Sequence, residues 1–140
     1  MYVYINTLHY SEHIALVKGD VTTPGTVPVR MHALDVLSDV LGDRHGKAGL
    51  LRSAMEMIAK EDRGVVVLIR EAMPKALSDS VRRKTGAPVE QVVLRDYGIG
   101  AQILRDLGVR EMELITNSQY NIVGLEGHDL SVVRTRPIEF

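Results

Sequence analysis

Gly64-Val65-Val66-Val67-Leu68-Ile69 is an uninterrupted apolar run, and it constrains this chain more than any other segment. A strand with apolar side chains pointing both ways must be covered on both faces, which demands a central place in a sheet flanked by helices. Around it the hydrophobic period switches repeatedly between strand and helix. Tyr2 to Leu8 and His13 to Lys18 are rich in β-branched and aromatic residues, with the polar Tyr10-Ser11-Glu12 between them, as expected for a β-hairpin. Thr22-Thr23-Pro24-Gly25-Thr26 reads as a turn, because Pro presets φ and Gly accepts a positive one. Val27 to Leu34 is then a third strand, expected to complete an antiparallel meander. Leu50, Leu51, Ala54, Met55 and Ile58 recur at helical spacing with Arg52, Glu56 and Lys60 opposite, which predicts an amphipathic helix laid on the sheet.

Beyond the central run, Ala76 to Lys84 fits a short helix or ordered loop ending at Gly86. Leu94 to Leu107 places Ile99, Ile103, Leu104 and Leu107 on one helical face. Gly98 and Gly100 each cost that helix about 1 kcal/mol relative to alanine, so they point to close packing or close ligand approach. Glu111 to Thr116, a short helix near Tyr120 to Leu125, and Leu130 to Thr135 give a strand-helix-strand ending, most simply a right-handed crossover onto a parallel pair. The fold class is therefore α/β, a mixed β-sheet with flanking helices. At 140 residues, 45% hydrophobic and 25% charged, the chain suits one core, and residues 1–140 are expected to form a single domain.

Charge and cysteine usage narrow the function classes. A net charge of −1 creates no broad positive field, so neither nucleic acid nor an anionic membrane is an expected partner. The absence of cysteine removes disulfides and every thiolate metal site. Met1-Tyr2-Val3-Tyr4-Ile5-Asn6 has no basic flank, and no apolar run reaches the roughly 20 residues of a spanning helix. A cytoplasmic location is expected.

The stretch Arg95-Asp96-Tyr97-Gly98-Ile99-Gly100-Ala101-Gln102-Ile103-Leu104-Arg105-Asp106-Leu107-Gly108-Val109, followed by Leu114-Ile115-Thr116-Asn117 and Gly124-Leu125-Glu126-Gly127, resembles the signature block of the GTP cyclohydrolase II family. Ala15-Leu16-Val17-Lys18-Gly19-Asp20 and Arg30-Met31-His32 match its earlier segments. The resemblance implies a GTP cyclohydrolase II-like fold and a relationship to the zinc enzymes that open the imidazole ring of GTP at the start of riboflavin synthesis. It further implies zinc and magnesium as family cofactors, pairing into a homodimer, and frequent fusion behind 3,4-dihydroxy-2-butanone 4-phosphate synthase. The chain would then be the second half of such a fusion.

The departures from the family pattern fall where its chemistry lies. The family holds zinc through cysteines, and those positions here become Asp35, Gly46 and Ala48; glycine and alanine carry no donor, so the tetrahedral site cannot form. The family's Gln-Glu-Gly-Arg-Gly-Ile-Gly segment becomes Glu71-Ala72-Met73-Pro74-Lys75-Ala76-Leu77. Pro74 replaces the arginine with neither charge nor N–H, and Lys75 is left as a flexible point contact. In the family's catalytic Asp-x-Arg pair, Val93 replaces the aspartate while Arg95 survives, which removes the proton-transfer group. Arg95 alone is a residual catalytic candidate, and a helix-docking ion pair with Asp96 competes with that role. Thr116 and Asn117, with Arg30 and His32, are the nucleotide-binding candidates the resemblance leaves, and the family's lysine becomes Asn121.

His32, Asp35, Asp39, Asp43 and His45 admit two readings. Imidazole and carboxylate are competent ligands, so they could form a rebuilt oxygen and nitrogen metal site. Their spacing matches no known ligand set, and the reading adopted is that they are solvated loop residues, with no metal and no cofactor. The expected function is a GTP cyclohydrolase II-like domain without catalysis, serving association or regulation. The alternatives are an active cyclohydrolase on a rebuilt metal site, or a sensor that binds a purine or flavin nucleotide without turnover.

Overall fold

The computed structural model describes residues 1–44, 48–70, 75–86, 93–118, 125 and 128–140, those from 93 to 97 by their backbone alone. The strands are β1 (Tyr2–Asn6), β2 (Ser11–Lys18), β3 (Thr26–Ala33), β4 (Gly64–Ile69), β5 (Glu111–Ile115) and β6 (Ser131–Arg136). The helices are α1 (Leu50–Ala59), α2 (Ala76–Lys84) and α3 (Val93–Leu107), and a single wide, π-type helical turn, Val36–Val40, follows β3. The sheet order is β1-β2-β4-β3-β5-β6. β1 with β2 and β2 with β4 are antiparallel, while β4 with β3, β3 with β5, and β5 with β6 are parallel.

The hairpin, the central strand and the parallel ending agree with the sequence; the meander does not. β4 inserts between β2 and β3, because its Val65, Val67 and Ile69 point to one face and Val66 and Leu68 to the other, and both sets need cover. The β2–β3 connection must therefore cross the start of β4. Arg63, the residue before that strand, clamps the crossing: Nη1 donates to the carbonyls of Thr23 at 2.9 Å and Asp20 at 3.2 Å, and Nη2 donates to Pro24 at 3.2 Å. Gly19 turns the chain at φ 70°, where a Cβ would lie 2.6 Å from the Asp62 carbonyl oxygen.

Two apolar layers result. On one face α3 brings Ala101, Ile103 and Leu104 against Ala15, Val27, Val29, Met31, Val65, Val67, Met112 and Leu114. On the other, α1 packs Ala54, Met57 and Ile58 on Val66, Ile115 and Ile138. The sequence had put Met55 in that stripe, but it is 40% exposed; Met57 takes the inward place because it lies three residues past Ala54 on the same helical face. The glycines of α3 divide. A Cβ on Gly100 would overlap the Met31 side chain, whereas one on Gly98 would meet open space, so only Gly100 marks close packing. α2 has no buried residue; Arg82, Arg83 and Lys84 occupy its last turn, where cations favour the helix dipole. Most of the helix expected near Tyr120 to Leu125 lies outside the described residues. Among those described, no helix is long and apolar enough to cross a membrane.

Candidate functional site

Polar side chains collect where the parallel strands end. Arg30 and His32 stand two residues apart on β3 and so share one face of the sheet, opposite Val66 and Leu68 of β4. Both are buried, at 6% and 2% exposure. Arg30 Nη1 donates to the Ile115 carbonyl at the end of β5, 3.2 Å away, and Nη2 lies 3.0 Å from His32 Nδ1. A guanidinium only donates, so Nδ1 accepts, and His32 carries its proton on Nε2. That nitrogen faces both Asp39 carboxylate oxygens, at 2.9 and 3.0 Å. The second shared oxygen of Asp39 also accepts from the Asp35 amide at 2.9 Å.

The helical turn after β3 brings the carboxylates here, and Asp35 is its N-cap. Its Oδ1 accepts from the Leu37 amide at 3.3 Å and its Oδ2 from the Ser38 hydroxyl at 2.8 Å, the usual work of an aspartate at that position. The solvated-loop reading is thus overturned for His32, Asp35 and Asp39, which form a hydrogen-bonded network with Arg30. The reason is tertiary: β3 carries His32 into the sheet interior, where a ring with both nitrogens polar must find partners. Asp43 instead pairs with Lys84 of α2. His45 and Gly46 lie outside the described residues, as do Glu71-Ala72-Met73-Pro74 and Asn121; Lys75 is exposed at the start of α2. The side chain of Arg95 also lies outside them.

Thr116 and Asn117 follow β5 directly. The Thr116 hydroxyl donates to the Ser118 carbonyl at 3.2 Å and accepts from the Ser118 amide at 3.0 Å. Asn117 Oδ1 accepts from the Ile138 amide at 2.8 Å. Thr116 follows Ile115, whose carbonyl Arg30 contacts, while Asn117 ties down the chain after β6. The carboxyl ends of parallel strands are where open α/β sheets take ligands. The donors present do not fit the family's zinc: the carboxylate of Asp35 is committed to its cap, and Ala48 has no donor atom.

Two groups escaped sequence reasoning. On the opposite face of the same edge, His13 Nδ1 accepts from the Arg70 amide at 3.1 Å, so its Nε2 proton points to Ser11 Oγ at 2.8 Å. Burial, and then the Arg70 guanidinium, push the His13 pKa down from 6.5. Its phase gave it away: Ser11, His13 and Ala15 alternate onto the buried face. At the other end of the strands a cleft of about 470 Å³ is lined by Glu61, Arg63, Glu113, Arg134 and Arg136 among others. Its charges neutralise one another, since Glu113 pairs with both Arg134 and Arg136, and Arg136 with Glu61 at 2.9 Å. No pairwise signal in the sequence links Glu113 to Arg134 or Arg136, which meet only through the β5–β6 register.

The fold and this edge define an α/β domain with a mixed sheet and a polar site at the ends of its parallel strands. Residues 1–137 match the family model described as GTP cyclohydrolase II, and the chain belongs to that family. It is 39% identical over 153 residues to "Riboflavin biosynthesis protein RibBA" of Bacillus cereus, an alignment covering 97% of this chain and 38% of that protein. The protein of the same name from Bacillus cytotoxicus matches with the same figures. The chain thus spans 38% of the length of these curated relatives. Among solved structures it resembles RibBX of A. baumannii, a two domain 3,4-dihydroxy-2-butanone 4-phosphate synthase, with a TM-score of 0.52 and 24% identity over 92% of this chain and 32% of that one. At that identity the likeness concerns the fold alone.

Proposed function

We propose that the chain is a GTP cyclohydrolase II-like domain of riboflavin biosynthesis that no longer opens the GTP ring and acts by associating with, or regulating, an enzyme of that pathway. One observation carries the reading: Asp35, at the family's first zinc position, holds its own helical turn with both carboxylate oxygens, and Ala48 at another zinc position has no donor atom. Val93 at the proton-transfer position supports it further, because an alkyl side chain moves no proton. On this reading the chain is one domain over residues 1–140, needs no metal or cofactor, works in the cytoplasm and forms a homodimer. The greater length of the relatives, and a structural neighbour with two domains, support a pathway enzyme fused or docked beside it.

A second reading is favoured by the buried Arg30 and His32 near the carboxyl end of β3, where Arg30 reaches the Ile115 carbonyl at the end of β5, with Thr116 next in sequence. There a purine or flavin nucleotide would bind without turnover, with Asn117 and the residual Arg95 as further contacts. Incubation with GTP, zinc and magnesium, followed as the ring-opened pyrimidine, tests the first reading. No product from folded protein is expected, and sustained turnover abolished by a chelator would overturn it. Saturable thermal stabilisation by GTP or flavin mononucleotide would establish the second; a flat response to both would remove it.

A further inference from the structure

The helical turn after β3 is built inside out. Ser38 and the Asp39 carboxylate lie inward at 2% and 6% exposure, while Val36, Val40 and Leu41 are 45%, 70% and 71% exposed. Val36 opens the turn, Val40 closes it and Leu41 is its C-cap. The Leu41 amide donates to the Val36 carbonyl at 3.2 Å, which draws the two ends together, so the three residues share one turn of chain. Gly42 then redirects the backbone at φ 69°, with nothing within 4 Å of where a Cβ would lie, so the space beside Leu41 is open. Full burial of a Val or Leu side chain is worth about 1.5–3 kcal/mol, and this turn forgoes most of it. What holds it is polar: Asp39 bonds His32 and the Asp35 amide, and Ser38 bonds Asp35. An apolar surface fixed from behind by buried hydrogen bonds marks a place of contact.

We propose that this turn is the docking surface for a covalently linked pathway enzyme, which receives Val36, Val40 and Leu41 in an apolar pocket with an acidic rim. The inference rests on the association role proposed above and names its surface. Size selects the occupant. Three side chains cover far less than the roughly 800 Å² per partner of a stable free complex, so neither a second copy nor a freely diffusing protein would be held firmly by them. A partner on the same polypeptide needs less area, because a short linker supplies an effective concentration on the order of millimolar. Relatives of which this chain spans 38%, and a structural neighbour with two domains, fit that arrangement. Charge selects the rim. Asp43, just past the turn, pairs with Lys84 of α2, and the residues next to these two, Arg44 and Arg83, are both exposed. Carboxylates around the partner's pocket would meet these cations.

The chain has no cysteine, so Leu41→Cys introduces a single thiol whose alkylation rate reads whether the turn is covered. The probe is a 3,4-dihydroxy-2-butanone 4-phosphate synthase, the class of the two-domain neighbour, joined to the full chain by a flexible linker. Alkylation at that position should be roughly tenfold slower in the linked protein than in the chain alone, as for a weak contact held at millimolar effective concentration. Val40→Asp and Arg44→Glu should each restore the fast rate, because both set a carboxylate against an apolar or acidic surface, with an unchanged far-ultraviolet spectrum. Val133→Asp, at a half-exposed position on β6, should leave the protection in place. Protection indifferent to both Val40→Asp and Arg44→Glu would overturn this surface and keep the association. Equal rates with and without the synthase would overturn both. Protection that appears in the unlinked chain as its concentration rises would assign the turn to a second copy and overturn the proposal.

Discussion

At the scale of single residues, each buried histidine has its Nδ1 facing a donor, the Arg70 amide for His13 and the Arg30 guanidinium for His32. His13 accepts from the Arg70 amide, and its pKa is lowered by burial and by Arg70. The unfolded chain therefore binds a proton here more readily than the folded one. The contribution of His13 is complete above 6.5 and is lost as pH falls from there through the lower folded value, with a slope of at most about 1.4 kcal/mol per pH unit. Urea melts at a series of pH values should show wild type losing stability below that point faster than His13→Gln; parallel profiles would refute the assignment. Asp39 offers a second test, because it serves both His32 Nε2 and the Asp35 amide. Asp39→Ala should cost about 2–4 kcal/mol in equilibrium unfolding, from two orphaned buried donors, and Asp39→Asn less, since it keeps one acceptor oxygen.

At the scale of elements, α3 poses a paired experiment on its glycines. Gly98→Ala faces open space and should stabilise the protein by up to about 1 kcal/mol through helix propensity. Gly100→Ala gains the same term but drives Met31, 3% exposed, out of its place against the helix. Overpacking of that kind costs about 1–3 kcal/mol, so the net change should be a loss. Thermal melts of the two variants should shift in opposite directions. The connection across β4 is tested through Arg63→Ala, which should cost about 1–2 kcal/mol. Arg63→Lys should recover little of it, because a single ammonium cannot span the carbonyls of Asp20, Thr23 and Pro24 as a planar fork does.

At the scale of the whole molecule, what could be read from the residues was whatever depends on local period. The β1–β2 hairpin, the central β4, the helices α1, α2 and α3, and the strands β5 and β6 all follow from alternation or helical spacing, and the family follows from the block around Gly98 to Val109. Neighbourhood across the sheet was not legible, because strand order depends on which faces remain uncovered after the helices dock. That is why β3 was expected beside β2 and lies beside β4 and β5. The same holds for the site. The sequence supplied Arg30, His32, Asp35, Asp39 and Thr116 as chemically capable residues and settled that cysteine ligation is absent. Only the tertiary structure decided that His32 and Asp39 bond to each other, that Asp35 caps a turn, and that Arg30 reaches Ile115 across 85 positions of sequence. A side chain's residue type fixes what it can donate or accept, but burial and register determine whether a partner stands within about 3 Å.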